Sequence, residues 1–398
     1  MTRIRRTPYA CFYAEDDPGL DVAALLRGEI PDPCGGARIV GLVVLTGRRN
    51  EITRAELDVL LSVPAASWIE ADGHDAGAVS ALVAKGLLLS DSEDATPRTL
   101  RARDDALREN EWNLYAALYH YMTQWSGIAL SEGEEEAVEL SIRSKSAARV
   151  HVAAHGTPPG AFPKDDGKPE LRLPGKKREG DFFRTLLGRR TTRSFDIETP
   201  MTVDQLDGVL QYVFGCHGYA RNSGDVLCIK RTSPSGGGLH PIEAYPIITN
   251  VTGLTPGLYR YNARNHSLVM LETLDTVEAQ RTATSFMCGQ KYFGMAHVTF
   301  ILTARFYRNH WKYRRHQKAY AGLLMDAAHL SQTLYLVGTE LNLGAFVTIA
   351  INARDIEERL RIDGVSEGVL AMTGCGPRRR AASPLELRFS TDPPDESR

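Results

Sequence analysis

Arg231-Thr-Ser-Pro-Ser-Gly-Gly-Gly-Leu-His-Pro-Ile-Glu-Ala-Tyr245 is the stretch on which the fold is decided. Ser233, Pro234, Ser235 and the run Gly236 to Gly238 carry no large side chain, and the glycines tolerate φ > 0, so a flat ligand can lie directly against the backbone. A bare glycine triplet is equally a flexible surface loop. Pro234 at the entry, Pro241 at the exit and the apolar run Ala244 to Ile248, which reads as a buried strand, favour a fixed binding surface. No Gly-Lys-Ser/Thr follows and the spacing is not Gly-x-Gly-x-x-Gly, so neither a nucleotide-hydrolase loop nor a dinucleotide loop is indicated.

Around this stretch lies a chain of 398 residues, 43% hydrophobic and 24% charged, long enough for two domains and ordinary in composition. Its formal net charge of −2 gives no global electrostatic case for nucleic acid. The basic N-terminus runs into Glu15, Asp16 and Asp17 rather than an apolar core, which is not the pattern of a secretory signal. No run of ~20 apolar residues argues for a membrane span. Six cysteines without Cys-x-x-Cys spacing suggest neither a zinc site nor a disulfide framework, and no metal ligands are expected. The expectation is a cytoplasmic protein that binds neither nucleic acid nor membrane.

Taken in order, Arg38 to Thr46 reads as a strand. Thr53 and Glu56 form a capping box that opens a helix, a second helix covers Ala76 to Lys85, and Leu87 to Leu89 form a short strand. Strand, helix, helix, strand suggests a winged-helix-like module over residues 1–105. Its second helix carries one basic residue, too few to grip a phosphate backbone, so a module holding a peptide at a sheet edge, or one that only widens a dimer interface, fits better than a DNA reader. Residues 106–180 hold an aromatic helix (Trp112 to Trp125) and then a Pro/Gly-rich arm from His155 to Gly180. His120 within that helix reads as a packed histidine before it reads as a catalyst. Helices and strands alternate through 181–398, as in a layered α+β domain.

Arg189-Arg190-Thr191-Thr192-Arg193-Ser194-Phe195 follows an apolar helix. The cluster either complements that helix's C-terminal dipole or clamps an anion with forked guanidiniums and hydroxyls. A second polar and aromatic cluster, His310-Trp311-Lys312-Tyr313-Arg314-Arg315-His316, reads as a basic helix flank able to grip an acidic peptide, or as a reactive Lys-Tyr pair. His240 and Glu243 lie one turn apart if a helix starts at Pro241.

These motifs, in this order over about Asp181 to Pro377, resemble the nitroreductase-fold flavoproteins, in particular the SagB-type, McbC-like azoline dehydrogenases of peptide natural-product pathways. Pro256-Gly-Leu-Tyr-Arg-Tyr is similar to a segment of that branch. The resemblance implies a nitroreductase-like α+β fold with a mostly antiparallel central sheet, a homodimer with its flavin at the interface, and flavin mononucleotide (FMN) as cofactor. On the matching motifs it implies FMN contacts at Arg189, Arg190, Thr191 and Arg193, with Thr191 replacing the usual serine. It implies further contacts at Ser233, Pro234, Ser235, Gly236 and Gly237, through the backbone at Thr348 and Ile349, and at Arg378. Leu343 to Ala350 departs from the family by carrying Thr348 to Ala350 where glycines are common. Lys312 and Tyr313 match the catalytic Lys-Tyr pair, with a second Lys-Tyr at Lys291-Tyr292.

The implied reaction is two-electron oxidation of a residue or azoline ring in a ribosomal precursor peptide, the peptide's leader held by the N-terminal module, with a cyclase as possible partner. Two other functions stand beside it: a generic NAD(P)H-dependent nitroreductase-type reductase of small molecules, and an inactive flavin-bound scaffold within a peptide-modifying complex.

Overall fold

The computed structural model describes residues 2–17, 35–129, 152–154, 156, 171–379 and 386. Of the Pro/Gly-rich arm, residues 155 and 157–170 therefore lie outside the described residues. The chain divides into two compact units: Met1–Gln124 with Arg305–Ala321 and Ile362–Glu367, and Trp125–Ala304 with Gly322–Arg361 and Gly368–Arg398.

The first unit holds two small sheets. Strand Arg3–Arg6 lies between Ile69–Glu70 and Leu88–Ser90, antiparallel to both. Ala10–Asp17, Gly35–Val43 and Arg48–Ile52 form an antiparallel meander. The capping box read at Thr53 and Glu56 is present and opens helix Arg54–Ser62. Asp75 caps the next helix, Ala76–Ala84, through its bond from Ala78 N–H. Buried Asp104, on helix Ala95–Glu109, accepts from Arg5 at 2.9 Å, Arg108 at 2.7 Å and Thr7 at 2.7 Å, tying the first strand to that helix.

Trp112 is the centre of this unit's aromatic core. It is 1% exposed and meets Phe306 at 4.5 Å, His310 at 5.0 Å and His120 at 5.4 Å between ring centroids. Its indole N–H donates to Val365 O at 3.0 Å. His120, on helix Leu114–Met122, is fully buried and 2.9 Å from the Tyr320 hydroxyl, and burial pushes its pKa down to about 3. It is a neutral core histidine. Replacing Trp112 with Ala removes this ring cluster's hub and is expected to cost about 3–5 kcal/mol, read as a lower urea midpoint at unchanged slope.

The second unit is built on a six-stranded sheet in the order Ser267–Thr273, Gly257–Asn262, Ile242–Ile248, Val298–Arg305, Glu367–Pro377, Leu343–Thr348. The pairings of Gly257–Asn262 with both its neighbours, of Val298–Arg305 with Ile242–Ile248, and of Leu343–Thr348 with Glu367–Pro377 are antiparallel. The inner strands are buried along nearly their whole length, as strands covered on both faces are. Helix Ala319–Glu340 is the longest element. Helices Asp181–Gly188, Val203–Val209, Thr276–Phe286 and Ala353–Leu360 complete the layers.

One local expectation fails. No helix starts at Pro241: Ile242–Ile248 is a strand, with Glu243 opposite Thr303. The β-branched residues Ile242, Ile247 and Ile248, all buried at 0–1% exposure, make this a core strand, so His240 and Glu243 are not one helical turn apart.

Candidate functional site

Three segments of the second unit meet around the arginine motif. Leaving helix Asp181–Gly188, the chain runs beside strand Leu343–Thr348: Thr191 bridges Ala345 in parallel, and Thr192 N–H donates to Ala345 O at 2.9 Å. Gly344 permits this approach, because a Cβ there would fall 2.5 Å from side-chain atoms of both Thr192 and Arg378. Arg189 lies 5.3 Å over the Tyr335 ring, and Thr191 Oγ1 is 3.0 Å from the Tyr335 hydroxyl. Arg193 packs 5.6 Å over Phe293 and 5.9 Å over Tyr292, and Phe293 stacks on Phe346 at 4.0 Å. Neighbouring Gln290 donates to Thr348 Oγ1 at 3.3 Å and to Ala350 O at 3.0 Å, so Thr348 and Ile349 are joined to the same cluster. The Ile349 side chain is 81% exposed.

Positive charges meet at one edge of this cluster. Burial lowers the pKa of half-buried Arg378, the like charge of Arg190 lowers it further, and Glu386 opposes both. The Glu386 carboxylate accepts from Arg193 N–H at 2.6 Å. Guanidiniums close enough to influence one another, as Arg190 and Arg378 are, have the charge and the donors that suit a phosphate group.

The Ser233–Gly237 loop is held elsewhere on the same long helix. Ser233 Oγ is 2.5 Å from Thr333 Oγ1, Ser235 Oγ donates to Asp326 Oδ2 at 2.5 Å, and Gly236 N–H donates to Asp326 Oδ1 at 2.9 Å. Gly237 and Gly238 take φ of 64° and 69°, the left-handed conformations expected of a loop that offers bare backbone. Pro234 is exposed at its turn. Such a surface fits a planar ring.

Asp326 and Thr333 are seven residues apart and share one face of Ala319–Glu340, whereas Tyr335 is about two and a half turns from Asp326 and points to the opposite side. The arginine motif and the glycine loop therefore flank this helix from two sides. It exposes Met325 (59%) between them and Leu324 (38%) on the Tyr335 side.

Lys312 and Tyr313 end helix Phe306–Tyr313 in the first unit, with the Lys312 ammonium 5.6 Å from the Tyr313 ring centre. Lys312 is exposed and Tyr313 half-buried. The other pair, Lys291-Tyr292, belongs to the second unit, and Tyr292 is part of the Arg193 cluster. Sequence reasoning missed Tyr335 and Asp326. Both sit in an alanine- and leucine-rich helix where an isolated tyrosine or aspartate carries no signal until the loops that dock on it are known.

The nitroreductase family model matches residues 186–376, which covers the arginine motif, the glycine loop and all six strands. This stretch is similar to the nitroreductase family. The nitroreductase-like fold expected from the sequence is the fold observed, and members of the family are flavin oxidoreductases. A nitroreductase-type protein of Methanocaldococcus jannaschii is 28% identical over 177 residues, 44% of this chain and 82% of its own length. The trifolitoxin-processing protein TfxB of Rhizobium leguminosarum bv. trifolii is 31% identical over 147 residues, 36% of this chain; the match spans 38% of that protein's length. The E. coli microcin synthetase McbBCD complex with truncated pro-MccB17 aligns at a TM-score of 0.40 and 21% identity, over 61% of this chain and 97% of that one, too loose a likeness to carry an argument. Among the described residues no helix is long and apolar enough to cross a membrane.

Proposed function

We propose that the protein is an FMN-dependent dehydrogenase that oxidises a residue or azoline ring in a ribosomally made precursor peptide. The flavin part is supported by the basic side chains of Arg189, Arg190 and Arg193 in the arginine motif, with Arg378 beside Arg190, in a nitroreductase-like fold whose glycine loop offers open backbone. The peptide part is supported by the similarity to the trifolitoxin-processing protein together with the motif order.

Bound flavin supplies a two-electron acceptor. The chain's own residues then have three tasks. The arginines and Thr191 hold the phosphate, and the backbone of Ser233 to Gly237 and of Thr348 and Ile349 lines the ring. Lys312 with Tyr313 takes the Cα proton of the azoline, so that the hydride can leave Cβ and the new C=C bond completes the azole. In the first unit, Ala10–Asp17 is an edge strand of its sheet among the described residues, and a leader peptide can add to such an edge as a further strand.

The site is completed by a second copy. Because the arginine motif and the glycine loop lie on opposite sides of Ala319–Glu340, with exposed Met325 between them and exposed Leu324 on the Tyr335 side, covering these two apolar residues with a partner subunit brings one copy's loop to the other's arginines.

Mass spectrometry of precursor peptide incubated with the enzyme and FMN tests the reading: a loss of 2 Da is expected. An unchanged peptide combined with rapid flavin bleaching by NADH or NADPH would instead establish a small-molecule reductase. An unchanged peptide with no bleaching would leave a flavin-bound scaffold.

A further inference from the structure

Asp326 is 5% exposed, and both its carboxylate oxygens are spent on the glycine loop. Ser235 Oγ–H donates to one and Gly236 N–H to the other. The same Ser235 oxygen accepts from His240 N–H at 2.9 Å. One carboxylate thus closes a loop from Ser235 to His240 in which Gly237, Gly238 and His240 all have positive φ, of 64°, 69° and 47°. A non-glycine residue at φ of 47° is unfavourable by itself and persists only where its surroundings hold it. Both donors are neutral, so the bonds hold the carboxylate without cancelling its charge.

We infer that Asp326 is a positioning residue with a second, electrostatic role: it fixes the loop, and its negative charge behind that loop lowers the reduction potential of the flavin lying against it. This rests on the flavin reading above. Reduction adds electron density to the ring, and a fixed anion a few ångströms behind the backbone platform opposes that addition more strongly in a partly desolvated site than in water. Nothing about a purely structural aspartate would couple it to the potential.

Two substitutions in the full-length protein separate the roles. Asp326→Asn keeps the size and removes the charge, whereas Ser235→Ala cuts one of the loop's bonds to the helix, together with the bond from His240 N–H, and keeps the charge. Both are expected to weaken FMN binding about tenfold or more in a fluorescence-quenching titration, the effect of losing one charge-assisted hydrogen bond. Both are expected to speed amide exchange at Gly236 and His240, with or without FMN. Only Asp326→Asn is expected to raise the midpoint potential of the bound flavin, measured with redox dyes. An Asp326→Asn protein with wild-type affinity, potential and exchange overturns the inference. Equal upward shifts in both variants overturn the electrostatic part, because Ser235→Ala leaves the charge in place. Should wild-type protein take up no FMN, the flavin reading and the electrostatic role fall together, and the exchange measurement alone decides whether Asp326 holds the loop.

Discussion

Protein carrying both Arg190→Ala and Arg193→Ala is expected to purify without flavin from cells in which the wild type is yellow. The Arg190 charge acts on Arg378, and the Arg193 guanidinium packs over Tyr292 and Phe293 in the same cluster. Each charge-assisted bond to a phosphate contributes about 1.5–3 kcal/mol, so losing two should raise the Kd for FMN at least a hundredfold. Riboflavin, which lacks the phosphate, should lose much less affinity. If each site takes its phosphate clamp from one copy and its ring platform from the other, subunits with the double arginine change and subunits with a crippled loop, such as Ser235→Ala, should each bind poorly alone. Mixed after co-expression, they should recover sites in which the two intact halves meet. Wild-type protein that stays colourless with added FMN would sink the cofactor assignment. Binding that is never restored by mixing would sink the shared site and leave the clamp intact.

What the sequence makes legible follows from how local each signal is. The Thr53–Glu56 capping box is one turn long and is found as read. The apolar run after Pro241 reads as a strand and is one; the helix imagined from His240 and Glu243 loses to the β-branched isoleucines that fill the sheet's core. The arginine motif and the glycine loop are both recognisable by residue type. Their relation is not, because it depends on which faces of Ala319–Glu340 they meet, and that is set by Tyr335 on one side and by Asp326 and Thr333 on the other. Strand Glu367–Pro377 shows the same limit: its centre, Gly368 to Gly376, is buried throughout, although Gly374 and Gly376 in its run are poor strand formers. Those glycines stand where Phe346 and His297 press against the strand, a reason visible only after folding.

Lys312→Ala is expected to leave flavin content and peptide affinity near wild type and to cut peptide turnover by ~10²–10⁴-fold, the usual effect of removing a general base and about 3–5 kcal/mol of transition-state stabilisation. Tyr313→Phe should also slow turnover. If the ammonium and the ring 5.6 Å from it work as one unit, the double variant should be little worse than the worse single one. The competing pair makes this a real choice. Tyr292 lies against Arg193 and donates to Gln290, which in turn holds Thr348 Oγ1 and Ala350 O, so Tyr292 is built into the candidate flavin cluster, whereas Tyr313 lies in the first unit; Lys291 and Lys312 are both exposed. On the proposed assignment, Lys291→Ala with Tyr292→Phe loosens that cluster and shows itself chiefly in flavin affinity, with turnover per bound flavin close to wild type. Turnover must therefore be normalised to flavin occupancy for every variant. If the Lys291 and Tyr292 changes abolish peptide oxidation at full occupancy while Lys312→Ala turns over normally, the proton is taken by the pair beside Arg193, and the second unit carries both the cofactor contacts and the base.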